Sequence, residues 1–201
     1  MLVIGLTGNF GTGKTTVSQI LAKLGAIVID ADKLGHLLLQ PDTETYKEIL
    51  TTFGKSILKP NGEIDRNKLG KLVFDDNTAL TRLNQIMHPR IYDIVRQTME
   101  GYRQAGARVV VLEAALLIEA GWIPLLDQVW VTIAPEDTVA KRLKKARGLS
   151  EEQFLARLRT QMPQQEKARR ADVVINTDCS PNELRARVTE LWRRLPAVAD
   201  P

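Results

Sequence analysis

The stretch "GNFGTGKT" sets Gly8, Gly13, Lys14 and Thr15 in the order G-x-x-x-x-G-K-[ST]. Glycines permit a backbone path that turns successive N–H groups inward around phosphate oxygens, and a helix starting behind the last glycine adds positive potential at the same point. In that arrangement Lys14 reaches the β and γ phosphates of a nucleotide and Thr15 offers its hydroxyl to magnesium, while Asn9, Phe10, Gly11, Thr12 and Thr16 complete the cradle. A second pattern follows closely: "VIDAD" ends an apolar run on two aspartates, Asp30 and Asp32. One carboxylate is enough to cap a helix beginning near Lys33, so the second is in excess of that need. Ligands of open α/β sheets sit outside the carboxyl ends of the strands, which puts this pair beside the phosphate loop. We expect Asp30 to cap or orient, and Asp32 to take or orient the proton of an acceptor hydroxyl and to touch the metal. Phosphoryl transfer is mostly positioning and charge neutralisation, so a modest carboxylate suffices.

These groups need a scaffold, and the apolar pattern supplies one. "LVIGLT" (2–7) reads as a buried strand, "KTTVSQILAKLG" (14–25) as a helix closed by Gly25, and "AIVID" (26–30) as a second strand. From about 31 to 105 the periodicity is helical, with helices over 43–54, 65–74 (Asp65 as N-cap) and 78–87, and with "KPNGE" as a turn. "RVVVLEAALL" (108–117) and "QVWVTI" (128–133) restore the strand signal as continuous apolar runs, suited to a parallel sheet covered on both faces. A helix over 135–148, a second opening on the capping box "SEEQ", a fifth strand over 171–177 and an amphipathic helix over 180–195 complete the pattern. Five strands alternating with helices predict a parallel α/β sheet with a helical insertion between the second and third strands. Trp122, Trp130 and Trp192 are read as packing residues, and Glu113 as an acid at the sheet's active edge with a helix cap as its plainer role. His88, followed by Pro89, is read as a helix-break pair with acceptor binding as the alternative.

At 201 residues and 44% hydrophobic, the chain can bury one substantial core, and we expect a single domain. Its apolar runs fall short of the roughly 20 residues a membrane span needs, and the N-terminus lacks a basic leader, so a cytoplasmic protein without a membrane partner is the default. A single cysteine, Cys179, and two histidines leave no disulfide and make a zinc site unexpected. The net charge is +4, but residues 141–170 hold ten Lys/Arg against three Glu. That stretch is either a solvated helix face or a grip on a polyanion; with few aromatics interleaved, nucleotide phosphates are a simpler partner than nucleic acid.

A phosphate loop alone fits a kinase, a switch or a motor, although the chain has no N-K-x-D guanine-reading tetrapeptide. Taken together, the phosphate loop, "VIDAD", the "HP" of His88 and Pro89, "EAALLIEAG" and "QMPQQEKARRADVVINT" resemble the dephospho-coenzyme A kinase family, in order and over nearly the whole chain. The resemblance implies a P-loop nucleoside-triphosphate hydrolase-like fold with a nucleotide-binding core (1–30, 106–134, 171–195), a helical acceptor-binding region (31–105) and a mobile lid (135–170). It implies transfer of the ATP γ-phosphate to the ribose 3′-hydroxyl of dephospho-coenzyme A. The family's catalytic aspartate matches Asp32, its lid arginine falls on Arg142, and its acceptor-binding stretch matches Glu113 and Leu116, with Ala115 where proline is expected. A shikimate kinase-like enzyme and a nucleotide-binding regulatory module are the alternatives; the first lacks so long an insertion, and the second needs no acidic pair beside the γ-phosphate. Monomer or weak homo-oligomer is the expected state.

Overall fold

A computed structural model describes residues 1–148 and 150–199. Five strands, β1 (Leu2–Gly8), β2 (Ile27–Asp30), β3 (Val109–Glu113), β4 (Gln128–Ile133) and β5 (Val173–Asn176), form one sheet in the order β2-β3-β1-β4-β5. Every pairing is parallel: Leu2 stands opposite Val109, Ile4 opposite Gln128, Ile27 opposite Val110 and Trp130 opposite Val173. The fold is that of the P-loop nucleotide-binding proteins. The third strand is shorter than the apolar run suggests, because the chain turns at Ala114 and runs through turns to Gly121. With turns rather than a helix after Glu113, its alternative role as a helix cap is not found.

Two compact units divide the chain. The first comprises Met1–Asp30 and Thr98–Pro201 and contains the sheet. Ile4 and Leu6 of β1, Val109 and Val111 of β3, Trp130 of β4 and Ile175 of β5 face Val17 and Leu21 of α1 (Lys14–Lys23) and Val188 and Trp192 of α9 (Pro181–Arg193). Alternate residues Val3, Val110, Leu112 and Val131 are equally buried on the opposite face, as a sheet covered on both sides requires. Leu21 and Val188 are fully buried, and truncating Leu21 to alanine removes about 2–5 kcal/mol. Ser180 starts α9 with a capping box, its hydroxyl accepting from Glu183 N while the Glu183 carboxylate accepts from Ser180 N. Three further helices, α6 (Glu136–Arg147), α7 (Glu151–Arg159) and α8 (Gln164–Arg169), connect β4 to β5.

The second unit, Ala31–Gln97, is helical. It holds α2 (Ala31–Leu38), α3 (Glu44–Phe53), α4 (Arg66–Asp75) and most of α5 (Asn77–Gln104), around a cluster of Ile49, Ile57, Ile64, Leu69, Val73 and Ile86. Asp65 caps α4 as expected, accepting from Asn67 N and Lys68 N. The expected break at His88–Pro89 is not found: α5 runs unbroken through Pro89 for 28 residues. Proline cannot donate to the Gln85 carbonyl one turn back, yet the helix continues, and Arg90 Nη1 donates to the neighbouring Ile86 carbonyl at 2.6 Å. Arg90 also pairs with Glu48 on α3. A second difference concerns α2, which starts at Ala31, so Asp32 lies within its first turn rather than ahead of it. A carboxylate there is favoured by the helix's positive end. Among the described residues, no helix is long and apolar enough to cross a membrane.

Candidate active site

β1 and α1 are joined by a loop whose path only glycine can follow. Gly8 has φ 146°, and a Cβ there would lie 2.3 Å from Thr132 Oγ1 and 2.5 Å from the Thr132 carbonyl on β4. Gly11 and Gly13 take φ 81° and 89°, the left-handed region, and Gly13 is the N-cap of α1. Polar side chains beneath the loop fix its shape. Thr12 Oγ1 lies 2.8 Å from the Asn9 carbonyl and 2.8 Å from Thr132 Oγ1, and Thr177 Oγ1 donates to the Thr12 carbonyl at 2.8 Å. Lys14, almost wholly buried, curls its ammonium over the loop to donate to the Gly8 carbonyl at 2.9 Å and the Asn9 carbonyl at 3.2 Å. Thr15 and Thr16 are exposed in the first turn of α1. The combined product is a glycine-shaped loop ending at a helix N-terminus with a lysine across it, an arrangement suited to phosphates.

The strand next to β1 adds an acid. Glu113, the last residue of β3, is 5% exposed, and its two oxygens accept from two hydroxyls of α1: Thr15 Oγ1 at 2.8 Å and Ser18 Oγ at 2.6 Å. Among the described residues no lysine or arginine pairs with it. A Thr15 hydroxyl that spends its proton on Glu113 keeps its lone pairs for a cation. Carboxylate and hydroxyl oxygens are the donor types magnesium takes, and magnesium normally completes its shell with substrate phosphates and water rather than a protein cage. The donor set therefore fits magnesium, and among the described residues no group of three or more His, Cys, Asp or Glu offers an all-protein cage. Asp30, at the end of β2, stands opposite Glu113 in the strand register.

Two further sides of the loop are lined from the β4–β5 connection. Arg142 of α6 donates through Nη2 to the Thr177 carbonyl at 3.1 Å and lies 3.6 Å from Asp178 Oδ1, so it is attached to the turn whose threonine holds the Thr12 carbonyl. At the loop's tip Phe10 packs with Val139, Leu143 and Phe154, and the Arg157 guanidinium sits 4.7 Å above its ring. The Phe10 N–H donates to Gln161 Oε1 at 2.8 Å, and Asn9 Nδ2 donates to the Met162 carbonyl at 3.2 Å. Leu116 is half-buried in the turns after β3. Trp122, Trp130 and Trp192 are all buried.

The first unit thus brings together Gly8 to Thr16, Glu113 and Arg142, while Asp32 and His88 belong to the helical unit, on α2 and α5. Sequence reasoning passed over Ser18, Thr177, Gln161 and Lys167. Ser18 was detectable in principle: it is a polar residue one turn beyond Thr15, on a helix face otherwise filled by Val17 and Leu21. Thr177 and Gln161 act across more than a hundred residues of chain and Lys167 across 52, and their types carry no local signal.

Comparison with known proteins agrees with this chemistry. The family profile of dephospho-CoA kinases matches residues 2–183. A dephospho-CoA kinase of Geobacter sulfurreducens is 44% identical over 197 residues, 98% of this chain and 100% of that protein. Among solved structures, a Thermus thermophilus protein aligns with TM-score 0.79 at 34% identity, covering 96% of this chain and 98% of its own. A Campylobacter jejuni dephospho-CoA kinase aligns with TM-score 0.68 at 28% identity, covering 95% of each. A phosphate loop backed by a buried acid on the adjacent strand, in a chain that follows these enzymes from end to end, places this protein in the dephospho-CoA kinase family, the ATP-dependent kinases of coenzyme A synthesis.

Proposed function

We propose that this chain transfers the γ-phosphate of ATP to the ribose 3′-hydroxyl of dephospho-coenzyme A, releasing coenzyme A and ADP, with the following division of labour. The phosphate loop from Gly8 to Thr16, through those of its N–H groups not already bonded within the protein, and the ammonium of Lys14 hold the triphosphate. Thr15, oriented by Glu113, and Asp32 would hold magnesium, which when bound neutralises charge on the β and γ phosphates. Asp32 takes or orients the proton of the acceptor hydroxyl; its place two residues past the carboxyl end of β2 supports this role. Glu113 and Leu116, in and just after β3, and His88 of the helical unit serve the acceptor. Arg142 neutralises charge on the transferring group from the 135–170 lid, and that region's positive charge is assigned to phosphates rather than to nucleic acid. We take the enzyme to be a cytoplasmic monomer or weak homo-oligomer.

The single observation that carries this reading is the Thr15–Glu113 hydrogen bond. It ties the phosphate-loop hydroxyl to a buried carboxylate whose charge no cation of the described residues meets. The test is incubation of the purified protein with ATP, magnesium and either dephospho-coenzyme A or shikimate, followed by mass spectrometry. Coenzyme A and ADP are expected with the first acceptor and no phosphorylated product with the second. ADP without coenzyme A would overturn the assignment.

A further inference from the structure

The segment Gln161–Lys167, "QMPQQEK", makes hydrogen bonds to three separate parts of the first unit. It holds the tip of the phosphate loop, through Gln161 to Phe10 N and through the Met162 carbonyl to Asn9 Nδ2. It holds the end of β4, where Gln164 Oε1 accepts from Ala134 N at 3.0 Å. It also holds the turn after β3: Met162 N donates to Glu119 Oε1 at 3.0 Å, and Lys167 Nζ donates to the Ala115 carbonyl at 2.7 Å and pairs with the same Glu119 oxygen at 2.9 Å. Lys167 is 0% exposed, the most deeply buried charge of the described residues.

An ion pair with one fully buried partner is a weak source of stability. Desolvating an ammonium costs several kcal/mol even after relaxation, and an apolar residue of like volume often serves as well or better. What Lys167 does that methionine could not is geometric. Its ammonium holds the Glu119 carboxylate where the Met162 N–H also reaches it, and holds the Ala115 carbonyl where Thr7 Oγ1 also reaches it, at 3.2 Å. Ala115 lies two residues past Glu113, and Met162 carries Asn9. The Asn9 amide is itself kept at a cost: its Oδ1 is buried without a hydrogen-bond partner, while its Nδ2 points at Met162. A chain of contacts therefore runs from the turn after β3, through Lys167, Glu119 and Met162, to the tip of the phosphate loop.

We propose that Lys167 is a positioning residue for phosphoryl transfer, and that it fixes the tip of the phosphate loop relative to the turn that follows Glu113. The inference rests on the kinase reading above. Because misplacement of reacting groups by 1 Å can cost about 10²-fold, Lys167→Met should lower kcat by about that factor while moving the KM for ATP by less than about threefold. Lys167→Arg, which keeps charge and donors, should recover most of the loss. Amide hydrogen exchange at Phe10 and Met162 should quicken in Lys167→Met and stay at the parent level in Lys167→Arg. Should Lys167→Met fail to fold, Glu119→Gln keeps an acceptor for the Met162 N–H without the charge, and should lower kcat by about tenfold. A folded Lys167→Met, or in its place Glu119→Gln, with kcat within twofold of the parent overturns the proposal and leaves the kinase reading intact. A parent protein that makes no coenzyme A defeats the kinase reading instead, and unchanged exchange at Phe10 and Met162 would still overturn the anchor on its own.

Discussion

Replacing Ser18 by alanine removes one of the two hydroxyls that satisfy the buried Glu113 carboxylate, and the cost can be worked from the geometry. The bond is 2.6 Å long, between groups 3% and 5% exposed. A hydrogen bond to a charged acceptor in such surroundings contributes about 1.5–3 kcal/mol, so Ser18→Ala should destabilise by that amount. For a chain of this length each kcal/mol corresponds to roughly 2–4 °C, which predicts a fall in Tm of about 3–12 °C. In a Glu113→Gln background the same substitution breaks only a neutral bond of about 0.5–1.5 kcal/mol, and the Ser18 hydroxyl has the Thr15 carbonyl at 3.1 Å as a second acceptor. The four proteins of this cycle, unfolded in urea, should therefore show a coupling of about 1–1.5 kcal/mol. Glu113→Gln alone has a further effect, because the Thr15 hydroxyl no longer has a carboxylate to which its proton is committed. The magnesium concentration at half-maximal activity should rise about 10- to 100-fold, the usual penalty for losing a partner behind a metal ligand. If Ser18→Ala cost the same in both backgrounds, within about 0.3 kcal/mol, the charge on Glu113 would not be what Ser18 serves. An unchanged magnesium midpoint in Glu113→Gln would remove the acid from the metal's surroundings.

Asp32→Asn should lower kcat by about 10²–10⁴ while leaving ATP affinity by calorimetry within a few-fold, and unchanged turnover would remove Asp32 from the chemistry. Gly13→Ala and Gly106→Ala both force a side chain onto positive φ, at 89° and 76°. Each should cost about 1–2 kcal/mol by thermal unfolding, but only the first, in the phosphate cradle, should weaken ATP binding; equal binding by both variants would contradict the cradle. Glu183 is held below its ordinary value of 4.5 by its hydrogen bonds from the Ser180 hydroxyl and N–H. A lowered carboxylate contributes stability that is present above its unfolded value and is lost as pH falls through the folded one. The advantage of the parent over Glu183→Gln should thus disappear in acid, and a carboxyl titration by NMR at or above 4.5 would refute the capping box.

Much of the frame was legible because each element announces itself locally. "VVVL" is a strand covered on both faces whatever surrounds it, Asp65 and Ser150 cap helices by side-chain chemistry within three residues, and the phosphate loop is a contiguous octapeptide. Pro89 misled because one missing backbone donor is outweighed by tertiary packing, with Ile86, Ile91 and Val95 buried on either side of it along α5. The apolar run "RVVVLEAALL" did not show where β3 stops, since the residues that follow are buried in turns rather than in the ladder. The candidate site was partly hidden for a related reason. Lys14 and Thr15 carry a motif, but the pairing of Ser18 with Glu113 spans 95 residues and depends on strand order, which no local pattern states. Lys167, one of ten basic residues in its stretch, looks like a solvated charge until the structure shows it fully buried.

The strand order has a consequence for how this chain comes into being. β1 comes first of the five strands in chain order and is also the middle of the sheet, yet both of its neighbours, β3 and β4, lie about a hundred residues or more downstream. Closing so long a segment adds only about 1 kcal/mol of chain entropy over an ordinary crossover, so the finished fold barely registers it. The growing chain does: about a hundred residues must follow β1 before the phosphate loop's own strand has a partner, and until then β1 and β2 are apolar edges without their ladder partner β3. Helices of the 31–97 segment, whose contacts are mostly local, have no such wait. By chain order alone, the contiguous helical insertion is complete before the nucleotide site has all its strands, and the unpaired apolar strands of that interval are the part most open to aggregation.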